Sequence, residues 1–150
     1  MVGVNLGRIT VAVDGSPHAE RALDFAVDLA KRYESHLSIV VVAPLVPIYV
    51  PSAEPWSAAQ VPETEVAQYR TLLDQATERA RKAGLTAIDG VCLEGVIADE
   101  LLAQIEAHPT DLLVLGSRGL STAKRLLLGS VSDAVLHHVK CPVLVVRPSP

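Results

Sequence analysis

The chain has 150 residues, 49% of them hydrophobic but only 3% aromatic, with a formal net charge of −4 and a pI near 5.7. That length favours one domain, with a core drawn from Val, Leu, Ile and Ala, as in α/β proteins whose parallel strands are covered on both faces. The acidic balance, without a Lys/Arg run, argues against a nucleic-acid partner, and the longest apolar stretch, 37–50, is broken by Ser38, Pro44 and Pro47 and is too short to cross a bilayer.

The N-terminal residues 1–8 show no charged segment ahead of a long apolar core, so the cytoplasm is the expected location. Ile9 to Val13 is a β-branched run ended by Asp14-Gly15-Ser16-Pro17, which reads as a first strand and a tight turn. Ser16 as a cap and Pro17 at the first helical position open a helix whose core face is Ala22, Phe25, Ala26, Leu29, Ala30 and Tyr33. Leu37 to Ala43 is a second buried strand, closed by Pro44. Strand, helix and strand of these lengths form a βαβ unit, whose right-handed crossover makes the two strands parallel.

Between Pro44 and Pro62 lie Pro47, Pro51 and Pro55 and the single tryptophan, Trp56, so this stretch is a loop. Loops of this kind serve as lids or binding loops, and Trp56 either closes over a base or ribose or anchors the loop on the surface. A second helix is expected from about Glu63 to Ala83, on the spacing of Val66, Tyr69, Leu72, Leu73, Ala76 and Ala80, with Gly84 as its C-terminal cap. Leu85 to Leu93 follows as a third strand interrupted by Asp89-Gly90, and Glu94-Gly95 turns the chain into a third helix over about Val96 to Ala107. The fourth strand is Leu112 to Leu115, the fourth helix Ser130 to about Val139, and the fifth strand Pro142 to Arg147. Alternation of this kind implies a doubly wound parallel sheet, in which ligands bind outside the carboxyl ends of the strands. Asp14, Val42 and the Gly116 turn would then meet in one crevice.

The most informative stretch begins at that fourth strand. Leu112 to Leu115 runs into Gly116-Ser117-Arg118-Gly119; after nine intervening residues Gly129-Ser130-Val131-Ser132 opens the fourth helix. Gly116 and Gly119 allow positive φ and close approach of a ligand, and the free amides at the helix start form an anion site that needs no lysine. The Ser130 and Ser132 hydroxyls would add donors. Lys124 and Arg125 either reach a terminal phosphate or are solvated loop charges. Neither G-x-x-x-x-G-K-[ST] nor G-x-G-x-x-G occurs, so this is not a P-loop or a dinucleotide fingerprint.

G-x-x-G, nine residues and then G-S resembles the nucleotide-binding signature of the universal stress protein family, in its ATP-binding branch. The resemblance extends over the Val11-Ala12-Val13-Asp14-Gly15-Ser16 strand end and the closing Cys141-Pro142-Val143-Leu144-Val145-Val146. It implies a Rossmann-like five-stranded sheet of order 3-2-1-4-5 with helices on both faces, and a stress regulator or sensor that binds ATP. Its binding residues would be Ala12, Val13, Asp14 and Val42, then Leu115, Gly116, Arg118 and Gly119, and finally Gly129, Ser130, Val131 and Ser132.

Asp14 could accept from ribose hydroxyls, hold magnesium with the ATP, or serve only as a turn residue. The residues do not distinguish ATP from AMP or a cyclic nucleotide. They leave open a slow Mg-dependent ATPase and an interaction module without nucleotide. The family's sheet order puts Val143 to Val146 at an edge, so a homodimer through this strand is expected. Cys92 and Cys141 read as small apolar core residues. His18, His36, His108, His137 and His138 read as surface residues, with His18 alone placed beside the crevice.

Overall fold

A computed structural model of the chain describes residues 3–45, 61–118 and 129–147. Strands and helices alternate through it as β1 (Arg8–Ala12), α1 (Pro17–Tyr33), β2 (His36–Pro44), α2 (Glu63–Lys82) and β3 (Ile88–Gly95), then α3 (Ile97–Ala107), β4 (Leu112–Gly116), α4 (Ser130–His138) and β5 (Val143–Val146). The strands pair in the order β3-β2-β1-β4-β5, every neighbour parallel, as the sequence reading expected. Ile9 lies between Leu37 on β2 and Leu112 on β4, so β1 is central.

Both faces of the sheet are covered, which explains why the inner strands are apolar without alternation. On one face Ile9, Val11, Leu37, Ile39, Val41 and Val114 pack against α1 and α2. On the other, Val40, Val42, Leu113 and Leu115 meet α3 and α4. Each fully buried Leu or Ile contributes about 1.5–3 kcal/mol, so the two-sided core is the main source of stability.

The ends of α1 follow from local chemistry. The Ala19 amide donates to Ser16 Oγ at 3.2 Å, Pro17 needs no partner for the N–H it lacks, and Glu34 closes the helix in the left-handed region at φ 53°. Arg79 of α2 pairs with both Glu20 and Asp24, joining the exposed sides of α1 and α2. Gly84 follows α2 at φ +103°, the cap geometry expected of it.

The third strand departs from expectation. It begins at Ile88 rather than Leu85 and runs through Glu94-Gly95 instead of ending before them. Leu85 still belongs to the end of α2, because its amide donates to Ala80 O. Asp89-Gly90 continues the ladder opposite Ser38 and Ile39. A Cβ on Gly90 would lie 2.9 Å from Leu73 Cδ1, so the glycine admits α2 rather than breaking the strand. Cys92 and Cys141 are partly buried against the two core clusters, and burial pushes both thiols above their ordinary pKa.

Candidate functional site

The chain passes from β1 outward to β3 and returns across the sheet to β4, so the strand order reverses beside β1. At the carboxyl ends of β1, β2 and β4 this reversal leaves a cavity of about 300 Å³. Its floor is apolar, built by Val40 and Val42 of β2, Leu115 of β4, and Ile97 and Leu101 of α3. Polar groups stand around the rim: Asp14 after β1, Tyr69 on α2, Arg118 after β4 and the opening turn of α4. A wider, shallower hollow of about 620 Å³ lies at the opposite ends of β4 and β5, between Val4 to Leu6 and Lys140 to Pro142. Among the described residues no carboxyl end of a strand and no helix start lines it.

The candidate residues named from the sequence gather here. Ala12, Val13, Asp14, Val42, Leu115, Gly116, Arg118, Gly129, Ser130, Val131 and Ser132 all line the cavity. Gly119, Trp56, Lys124 and Arg125 lie outside the described residues.

The start of α4 is the part of the cavity wall whose backbone chemistry suits an anion. Gly129 is its N-cap at φ −68° and ψ 159°, and with no side chain it gives the first amides no cap bond. The contrast with α1, capped by Ser16, is chemical: α4 leaves its positive end open to the cavity. The Gly129 amide donates to Ser117 O at 2.7 Å, Ser117 N–H donates to Val146 O at 2.9 Å, and Ser117 Oγ lies 2.9 Å from His18 Nδ1. One serine thereby ties the α4 start to β5 and to the first turn of α1.

Two details correct the sequence reading. Ser132 Oγ donates to Gly116 O at 2.8 Å, so its proton holds the end of β4 instead of facing a ligand. Gly116 is not among the glycines at positive φ, and the group that approaches it is α1: a Cβ there would lie 2.8 Å from His18 C and 2.9 Å from Ala19 N. Asp14 performs its turn role, with Oδ1 accepting the Ser16 amide at 2.9 Å, and it also lines the cavity.

Tyr69, Pro44, Ile97, Leu101 and Val40 were not identified as lining residues. Pro44 closes the expected strand at its carboxyl end and was legible on that ground. The others follow the apolar pattern of any core helix or strand, and only the crossing of elements turns them toward the cavity. Burial, then the charges of Glu65 and Asp14, push the Tyr69 phenol above its usual pKa and hold it protonated.

Comparison with known proteins agrees with this architecture. Residues 5–147 match the profile of the universal stress protein family. The universal stress protein YxiE of Bacillus subtilis is 35% identical over 148 residues, covering 93% of this chain and 98% of its own. The solved structure of the universal stress protein UspA from Lactobacillus plantarum superimposes with a TM-score of 0.84 at 25% identity, over 97% of this chain and 100% of that one. A universal stress protein solved in complex with cAMP superimposes with a TM-score of 0.72 at 31% identity, over 97% of this chain and 99% of its own.

Proposed function

The chain belongs to the universal stress protein family, and from that premise we propose that it binds ATP in the cavity above β1, β2 and β4 and acts as a nucleotide-linked stress regulator. The observation that carries this reading is that the side-chain-uncapped N-terminus of α4 and Asp14 line one cavity with an apolar floor. The base lies on Val42 and Leu115, the sugar beside Asp14, and the phosphates on the amides that Gly129 leaves uncapped. A related protein bound to cAMP supports an adenine ligand. Asp14 takes the sugar in this reading; it would hold magnesium instead only in the hydrolytic reading below, since this ion is commonly held by one or two carboxylates together with substrate phosphates. Calorimetry with ATP, and mass spectrometry of the small molecule released on denaturation, test the reading; no binding and no released nucleotide would refute it.

Hydrolysis is the second reading, favoured by Asp14 as a metal ligand. Among the described lining residues Asp14 is the only carboxylate and Arg118 the only basic side chain, which is less than a full clamp on a transferring phosphoryl group. Turnover is expected far below the ~1–100 per second of kinases. Fast magnesium-dependent phosphate release, abolished in Asp14→Ala, would establish the enzyme instead.

The regulator acts as a homodimer through β5. This strand is an edge of the sheet, with Val143, Leu144 and Val145 partly buried and no charge among its residues. A two-fold axis pairs it antiparallel with its copy, satisfying the edge amides and carbonyls together. Val145→Lys is expected to shift the dimer to monomer in light scattering at micromolar concentration, because the interface would have to bury an unpaired ammonium. A monomeric wild type removes the dimer, and a dimeric Val145→Lys moves the interface elsewhere.

A further inference from the structure

We propose that Tyr69 determines the sugar specificity of this site, its phenol acting with the Asp14 carboxylate as a donor and acceptor pair for a ribose hydroxyl. The inference rests on the nucleotide reading above and goes beyond it by assigning a binding role to α2.

Three observations place the residue. Tyr69 lines the cavity together with Asp14, Val42 and Pro44. Its ring packs on Ala43, Val61 and Val66, which anchor α2 over the end of β2. One turn further along, Leu72 reaches the β1–α1 turn: a Cβ on Gly15 would lie 3.7 Å from both Leu72 methyl carbons. The face of α2 bearing Tyr69 thus lies over the segment that carries Asp14, between the end of β1 and the end of β2.

The chemistry of the pair is complementary. A carboxylate only accepts, while a protonated phenol donates. A sugar hydroxyl is both donor and acceptor, so it can donate to Asp14 and accept from Tyr69 at once. A phenol is protonated at neutral pH, and burial, then the Glu65 and Asp14 charges, oppose its ionisation further, so the donor is present. A sugar without hydroxyls leaves both groups of the pair without a ligand partner, and unmade bonds of this kind are the strongest source of discrimination in a binding site.

Calorimetric titration of wild type and Tyr69→Phe with ATP and with 2′,3′-dideoxy-ATP tests this directly. The phenylalanine keeps the ring that packs on Ala43, Val61 and Val66. Wild type is expected to prefer ATP by roughly tenfold or more, and Tyr69→Phe to reduce that preference by about 3- to 10-fold, in line with the loss of one hydrogen bond. Its affinity for the dideoxy nucleotide should stay within about twofold of wild type, because only the hydroxyl contact is removed. Equal wild-type affinities for the two nucleotides, or a preference unchanged in Tyr69→Phe, would overturn the inference and leave the nucleotide site standing. Failure of wild type to bind either nucleotide would overturn both.

Discussion

Gly116→Ala is expected to destabilise the folded chain by about 1–3 kcal/mol, the usual cost of forcing a methyl group into a packed interior. The new Cβ would sit 2.8 Å from His18 C and 2.9 Å from Ala19 N. Both are backbone atoms of the first turn of α1 and cannot rotate aside. Relief must come from moving the helix, which is held there by the Ser16 cap and by the contact between His18 and Ser117. Gly90→Ala is the natural control. Its Cβ would meet only side-chain atoms, Leu73 Cδ1 at 2.9 Å and Leu73 Cγ and Thr77 Oγ1 at 3.3 Å, which can shift without moving a helix backbone, so the cost should be smaller. In thermal melts a chain of this size loses about 2–4 °C per kcal/mol, so Gly116→Ala should melt clearly below both wild type and Gly90→Ala. Equal melting temperatures for the two variants would show that α1 does not press on β4 as the structure has it.

Gly129→Val is expected to weaken ATP binding by about 100-fold or more, since an obstruction of ~3 kcal/mol amounts to about two decades of affinity. The backbone at φ −68° and ψ 159° is open to any residue, so the substitution creates no strain in the main chain. Its effect is local. Gly129 is buried and lines the cavity at the helix start, where an isopropyl group takes space that the phosphate reading assigns to the ligand. The helix itself should survive, since Val131 and Val135 still face the core cluster beneath α4. Circular dichroism establishes that the variant folds, and calorimetry then reads its affinity. A folded Gly129→Val protein with wild-type ATP affinity would mean that the start of α4 is not the phosphate site.

Much of this architecture was legible in the sequence, for identifiable reasons. The run of β-branched residues in 9–13, the Ser16-Pro17 helix start and Gly84 after α2 are local signals, decided within a few residues by backbone sterics and by which amides need a partner. The apolar runs of β2 and β4 announced strands buried on both faces, and strands alternating with helices then implied parallel pairing. The spacing from Gly116 to Gly129 named the segments that line the cavity, because a strand end and a helix start are both visible in one dimension.

What sequence alone could not decide was which groups face one another across the fold. Gly116 was read as making room for a ligand, whereas the body that comes close is α1, 98 positions back in the chain at His18. Gly90 was read as an interruption and instead accommodates Leu73. Ser132 was assigned a free hydroxyl and spends it on the carbonyl of Gly116. Tyr69 carried the spacing of a core residue, and only the passage of α2 over the β1–α1 turn brings it to the cavity wall beside Asp14. The physical reason is common to all four: backbone propensity and capping are settled between near neighbours in the chain, whereas close approach and hydrogen-bond partnership depend on how layers pack, which is determined only when the whole two-sided core has closed.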